Sequence, residues 1–379
     1  MNTLLSSEQI ELENYCQKLL ENEWSLEKAI KAFEPEGSRH SPELLKTLAE
    51  VGWLGMPFAE KYGGAGTNLI DLGLVYRASG EYLVPSSFYS SVFAALVIDA
   101  LGSEEQKLSL LSAVIAGKTL ATVAQGEAHA VEEFRLFKSK ATRVGDTWVL
   151  KGGKAFVADA ATAGLVLVLA RIHDVSEYTG WGVFAVDAQQ LQGRIRANHA
   201  FGNIPLSSID LDDLAVPYSA LLGGEDAIAS TLDIYTGVVE KATALQCMEM
   251  VGGINAVLNR TVAYVKEREQ FGRPIGANQS VQHMLADIAI HLDGARVAAL
   301  KALFLVSEGR PAARAISMAK TMLGEGYVNA TITAQQVWGS MGYARETGLY
   351  LWTERAKVTD VWHGTRNSHL RRVATLMGL

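Results

Sequence analysis

REQFGRPIGANQSVQHMLADI, residues Arg268–Ile288, joins the two strongest helical patterns in the chain. Before it, Leu245, Met248, Val251, Ile254, Leu258, Val262 and Val265 recur every three or four residues. From Val281 on, Met284, Leu285, Ile288, Leu292 and Ala295 do the same. Apolar residues at that spacing line one face of an α-helix, so each stripe predicts a long helix. Gly272, Pro274 and Gly276 break the pattern between them, which makes the stretch a tight connection. Long helices joined by short loops pack as an antiparallel bundle, and we assign residues 226–379 to one. Met248, Met250 and Met284 read as part of its core.

Upstream the period changes. TWVLKG after Gly145-Asp146, then KAFVAD, GLVLVLARI, WGVFAVDA and SSIDLDDLAVP are short strand-like runs separated by turn residues. With no helices between them, they predict an antiparallel sandwich or barrel over 120–225 and exclude a βαβ dinucleotide fold. Residues 1–119 return to helical spacing, as in Leu44, Leu45, Leu48 and Val51. YGGAGTN, Tyr62–Asn68, has the glycines of a phosphate loop but no following Gly-Lys-Ser/Thr, and reads as a structural turn.

The 379 residues are 49% hydrophobic and 20% charged, enough for several cores, and the formal charge of −7 argues against nucleic acid as a partner. Cys16 and Cys247 show no metal-ligand spacing, and the remaining histidines have none among themselves, so neither a disulfide framework nor a metal is expected. The N-terminus lacks a basic region followed by an apolar run, and no stretch of about 18 apolar residues predicts a membrane span. A reduced cytoplasm is the expected compartment.

The Arg268–Ile288 stretch closely resembles the Arg-x-x-Phe-Gly-x-Pro-Ile…Gln…Leu-Ala-Asp element of the acyl-CoA dehydrogenases. The resemblance extends through VGWLGMPFAEKYGGAG at 51–66, GSEEQK at 102–107, FVADAATAGLVLVLAR at 156–171, VPYSALLGG at 216–224 and QQVWGSMGYARETGLYLWTERAKVTDVWHGT at 335–365. It implies an α+β multidomain fold with an all-α N-terminal domain, a middle antiparallel β-barrel and a C-terminal four-helix bundle. It further implies FAD held between subunits of a tetramer, an acyl-CoA thioester substrate losing an α-proton to a carboxylate and a β-hydride to the flavin, and an electron-transfer flavoprotein as acceptor.

Carried over residue by residue, the resemblance gives Arg268 to the pyrophosphate of a neighbouring subunit's FAD, with Gln270 and Phe271 beside its adenosine and Gln279 on the same element. Gln336 and the WGSMG turn through Ser340 meet that same cofactor, Thr365 and Asn367 border the flavin, and Phe156 shields the ring where tryptophan is common.

The departures from the family pattern are one-sided. Its Tyr-Glu-Gly-Thr reads Trp362-His363-Gly364-Thr365, so the carboxylate position carries His363. The second position used for the glutamate is Ala242, and Glu240 lies about 200° around the helix from it. AQGEAHAVEEF keeps only Gly126-Glu127 of the Thr-Glu-Pro…Gly-Ser-Asp segment, and Ala158 replaces a hydroxyl residue. Residues reaching toward a neighbour's cofactor are kept while those serving this chain's own are altered. That pattern resembles the subunit lacking the glutamate in bacterial heteromeric acyl-CoA dehydrogenases, an α₂β₂ assembly. A self-sufficient homotetramer using His363 as base, with an unperturbed imidazole pKa of about 6.5, and a flavin monooxygenase of the same fold are the alternatives.

Overall fold

The computed structural model describes residues 5–34, 37–130, 133–174, 177–198 and 200–379. The chain opens with five helices: α1 (Ser7–Glu23), α2 (Leu26–Phe33), α3 (Pro42–Glu50), α4 (Leu69–Glu81) and α5 (Ser86–Leu101). Their starts follow from capping side chains. Ser6 forms a capping box with Gln9, and Asn68 accepts the Asp71 amide, each satisfying donors that a first helical turn leaves free. Gly63 and Gly66 of the YGGAGTN segment take left-handed φ, and a Cβ on Gly64 would lie 2.1 Å from the Phe58 carbonyl, so the glycines serve a tight turn.

Nine strands follow: β1 (Ala121–Ala124), β2 (Lys140–Val144), β3 (Thr147–Lys151), β4 (Gly153–Ala158), β5 (Leu165–Asp174), β6 (Glu177–Asp187), β7 (Ile195–Asn198), β8 (Leu206–Asp210) and β9 (Leu214–Pro217). They correct the expected antiparallel barrel. β1, β2, β3, β5, β6 and β9 form one six-stranded mixed sheet, and β4, β8 and β7 form a separate three-stranded sheet, without closing. β5 is long enough to take β1 along Leu165–Val168 and β2 along Arg171–His173 on one edge, both parallel, while β6 pairs antiparallel with it. The chain between β1 and β2 is an irregular return and not a hairpin, so no turn dipeptide announces the parallel pairing. Gly145-Asp146 does mark the β2–β3 hairpin.

The C-terminal part contains α6 (Thr231–Glu267), α7 (Gln279–Ser307), α8 (Ala313–Trp338), α9 (Leu349–Val361) and α10 (Arg366–Leu376). α6, α7 and α8 pack pairwise, with α9 and α10 laid against α8. Leu245, Met248, Val251 and Ile254 are buried as expected. Met284 is not: it is 38% exposed, because the first turns of α7 carry their apolar residues outside the bundle.

α4 crosses α6 at reciprocal glycines. A Cβ on Gly80 would sit 2.0 Å from the Glu249 carbonyl oxygen and one on Gly252 would sit 1.8 Å from that of Arg77, so the backbones meet only without side chains. Beneath this crossing, fully buried Arg355 of α9 donates to Glu249 at 2.8 Å, to Asn203 Oδ1 at 2.9 Å and to the Val84 carbonyl at 3.1 Å. One guanidinium therefore ties the N-terminal helices, the strand region and the bundle together. Its charge is compensated by Glu249, as a buried ion requires.

Candidate functional site

His363 lies in the turn between α9 and α10, at φ +57. Left-handed backbone is costly for a side chain with a Cβ and persists where the surroundings impose it. Here they do. Buried Lys320, on the inner face of α8, donates its Nζ to the carbonyls of Thr359 at 2.5 Å, Gly364 at 3.2 Å and Asp360 at 3.3 Å, which pins the end of α9 and the turn. His369 Nε2 contacts the His363 carbonyl at 3.0 Å and its Nδ1 meets Ser317 Oγ at 3.1 Å. A carbonyl can only accept, so Nε2 carries the proton and Nδ1 accepts from the serine. Gly364 is required beneath this contact, because a Cβ there would stand 2.5 Å from His369 Nε2.

The half-buried His363 ring stacks on Trp362 at 5.6 Å and 8° and meets Phe93 edge-on at 5.2 Å. Burial, reinforced by the charge of Lys320, pushes its pKa down to about 3. The imidazole is consequently neutral and a weak proton acceptor, since efficient general bases have a pKa near the working pH.

Two cavities meet at this ring. The smaller, about 60 Å³, is bounded by Ser90, Phe93, Gln125, Phe156 and Trp362. The larger, about 170 Å³, is bounded by Gln125, Glu240, Thr243, Ser368 and Arg372. Phe156 reaches the first from a β-bulge in β4, with its own φ at +57 and half its surface exposed. Bulges re-aim single side chains in this way. Behind Ser90, buried Asp159 accepts hydrogen bonds from Ser86 at 2.8 Å and Ser90 at 2.6 Å. Burial raises its pKa to about 6 despite those bonds.

Glu127 is buried on the same strand region. It accepts from the amides of Lys138 at 2.7 Å and Ser139 at 2.9 Å and pairs with buried Lys154 at 3.2 Å. Its acid is thus absorbed in fixing the 125–139 return, of which Val131 and Glu132 lie outside the described residues.

Ala242 is buried, while Glu240 ion-pairs with Arg372 of α10 across the larger cavity. The two positions do face different ways, but it is the face of Glu240 that borders the space beside His363. Sequence reasoning missed Arg372, Lys320 and Asp159, set Glu240 aside on its helical angle and gave His369 no role. Only Lys320 left a trace, as a cation among Ile316, Ala319 and Leu323, all buried on α8.

The other expected residues form a second group. Arg268 ends α6, exposed, and Glu269-Gln270 pairs with Arg273-Pro274 in a small hairpin that leaves Phe271 98% exposed at φ +55. Gln279 opens α7, and Gln336 and Ser340 lie exposed where α8 ends. Tyr264 stacks on Trp338 at 4.1 Å and 9°, which holds the Arg268 loop beside the Ser340 turn. Thr365 caps α10, accepting from the Ser368 amide at 3.1 Å, with Asn367 exposed two residues on. Among the described residues no hydrogen bond or ion pair links the Arg268 group to the His363 cavities. No group of three potential metal ligands occurs among them, and His199 lies outside them. Among the described residues no helix is long and apolar enough to cross a membrane.

A family model for the acyl-CoA dehydrogenase N-terminal domain matches residues 6–118, and one for the C-terminal domain matches residues 236–378. The chain is 30% identical to the probable acyl-CoA dehydrogenase YngJ of Bacillus subtilis over 340 residues, covering 85% of this chain and 86% of that one. Among solved structures, butyryl-CoA dehydrogenase from Megasphaera elsdenii shares the fold at a TM-score of 0.90 and 23% identity, covering 100% of both chains. A chain of the ChsE4-ChsE5 complex from Mycobacterium tuberculosis does so at 0.87 and 23%, covering 100% of this chain and 99% of that one.

Proposed function

The chain belongs to the acyl-CoA dehydrogenase family, and on that premise we propose that it is an FAD-binding subunit working in α,β-desaturation of an acyl-CoA with a glutamate supplied by a second, related chain. The observation that carries this reading is the state of His363. It occupies the position of the base, yet burial holds its pKa near 3. A proton taken from the α-carbon needs a stronger acceptor; neither Ala242 nor an imidazole of that kind provides one, and the carboxylate of Glu240 beside it is committed to its ion pair with Arg372.

The residues fit the cofactor in two unequal halves. Phe156, presented bare by its bulge beside the smaller cavity, offers a ring to shield a flavin, with Thr365 and Asn367 beyond His363. Arg268, Gln270, Gln279, Gln336 and Ser340 are exposed on the loop and helix ends of the bundle, as donors serving a neighbour's pyrophosphate and adenosine would be, with the bare Phe271 ring beside them. When bound, FAD supplies the hydride acceptor. This chain's residues orient the thioester: Gln125 and His363 stand between the two cavities, and the Glu240–Arg372 pair closes the wall of the larger one. A neutral imidazole there can hydrogen-bond a thioester without competing for its proton.

The solved ChsE4-ChsE5 complex is a precedent in the same fold for two unlike chains assembled together. We extend that arrangement to an α₂β₂ tetramer here, with reduced flavin reoxidised by an electron-transfer flavoprotein. The test is coexpression with the glutamate-bearing partner. The complex should carry one FAD for each pair of chains and reduce dye with acyl-CoA, and the chain alone should do neither at full extent. Dye reduction by the isolated chain, with one FAD in each subunit, would overturn the proposal.

A further inference from the structure

Among the described residues, Gln125 and His363 are the two that bound both cavities of the site. Gln125 follows β1 directly, is half-buried, and is held at both ends. Its backbone carbonyl accepts from the buried Lys154 Nζ at 3.0 Å, and that ammonium is fixed in turn by Glu127 at 3.2 Å. Its side-chain Oε1 accepts from the hydroxyl of Tyr235, near the start of α6, at 2.7 Å. Tyr235 is wholly buried, and its ring packs on Phe93 at 6.4 Å and Phe134 at 5.9 Å. Phe93 bounds the smaller cavity and Phe134 the larger, so the phenol is wedged behind their junction.

Those contacts decide which way the amide points. Burial pushes the Tyr235 pKa up, so the hydroxyl keeps its proton. A buried O–H needs an acceptor, and Gln125 is the one hydrogen-bond partner of this hydroxyl among the described residues, so the amide turns its oxygen to the phenol. Tyr235 itself bounds neither cavity. With the oxygen end spent on that side, the NH2 end, which carries two donors, is the end that Gln125 gives to the space it borders. A donor fixed before its ligand arrives loses little freedom on binding and is aimed in advance.

We propose that Tyr235 is a positioning residue: through its bond to Oε1 it holds the Gln125 amide as a donor to a ligand carbonyl oxygen at the junction of the two cavities. The proposal rests on the reading that this site takes a flavin and an acyl-CoA. Each of them carries such an oxygen, the flavin on its ring and the acyl-CoA on its thioester.

The experiment compares complexes of this chain and its partner in which this chain is wild type, Tyr235→Phe, Gln125→Glu or the double variant. Calorimetry gives the Kd of FAD and of butyryl-CoA, and absorption gives the flavin band. Gln125→Glu keeps the size of the side chain and the bond from Tyr235 but has no donor at neutral pH. It should weaken one ligand about tenfold, the order of one lost hydrogen bond. Loss on FAD with a shifted flavin band assigns the ring carbonyl, and loss on butyryl-CoA alone assigns the thioester. Tyr235→Phe should weaken the same ligand about threefold, because the amide stays but is no longer aimed. The double variant should bind no worse than Gln125→Glu, since the tyrosine acts only through the amide. FAD content of the wild-type complex tests the reading above, and the ratios between variants test this one. Unchanged affinity for both ligands in Gln125→Glu, wild-type affinity in Tyr235→Phe, or losses that add in full in the double variant would each overturn the proposal.

Discussion

His369 donates its Nε2 proton to the backbone carbonyl of His363 at 3.0 Å, so the ring at the base position is held in place by a second, more deeply buried imidazole. Removing that donor takes from the His363 carbonyl its hydrogen bond to the imidazole. His369→Ala should destabilise the fold by about 1–3 kcal/mol, the usual cost of an orphaned buried group. His369→Gln, whose amide can still donate, should recover part of it. Denaturant titration of the three proteins measures both effects.

The same pair sets a pH dependence. Burial depresses the folded-state pKa of His363 to about 3 and of His369 to about 4, below the ordinary 6.5. An imidazole that binds its proton less well when folded destabilises the fold as pH falls, because the unfolded chain gains protons first. Stability contributed by the neutral pair is therefore complete above 6.5 and is lost as pH drops toward 4. Melting temperatures of the wild type and His369→Gln should differ most near neutral pH and approach each other as the pH is lowered.

Asp159 works in the opposite sense. Its pKa rises from 3.8 to about 6 on folding, so the folded state holds the proton more tightly, and stability declines as pH climbs through that interval. Asp159→Asn cannot ionise. Relative to wild type it should gain on the order of 3 kcal/mol between pH 4 and 7, less whatever the Ser86 and Ser90 bonds lose in strength. A difference curve that stays flat across this range contradicts the assignment.

Arg355→Met strands the carboxylate of Glu249 among apolar residues and should cost about 3–5 kcal/mol. Adding Glu249→Leu removes the stranded charge and should restore much of that loss. Because Arg355 also bonds Asn203 and Val84, the single variant should loosen contacts among all three parts of the chain, seen as faster hydrogen exchange in each.

These groups show why the fold was legible in the sequence and much of the site was not. The helical stripes and the Arg268–Ile288 break report burial along one element, and Leu245 to Ile254 lie buried as their spacing requires. Parallel pairing of β1 and β2 along β5 depends on contacts across dozens of residues and carries no local turn signal. Met284 shows the converse, a residue with core periodicity on a helix end that outruns its bundle. At the site, His363 was visible because it interrupts a motif. Lys320, His369 and Asp159 act on it or beside it through tertiary contacts at 39 to 73 residues' separation or through a turn whose shape the motif does not encode. Glu240 was misjudged for a related reason: helical geometry gives the angle between two positions but not which face borders the cavity.

Arg268→Ala should leave stability within about 0.5 kcal/mol, as an exposed helix-end substitution does, yet lower FAD retention in the assembled complex at least tenfold. Equal retention by the two proteins after gel filtration would remove Arg268 from the cofactor's contacts.

The central claim, that the working carboxylate belongs to another chain, is tested most directly by the flavin content of the protein purified alone and with its partner. One FAD for each pair of unlike chains, appearing together with acyl-CoA-dependent dye reduction, is the predicted result. One FAD in every copy of this chain by itself, with the same turnover, would contradict it.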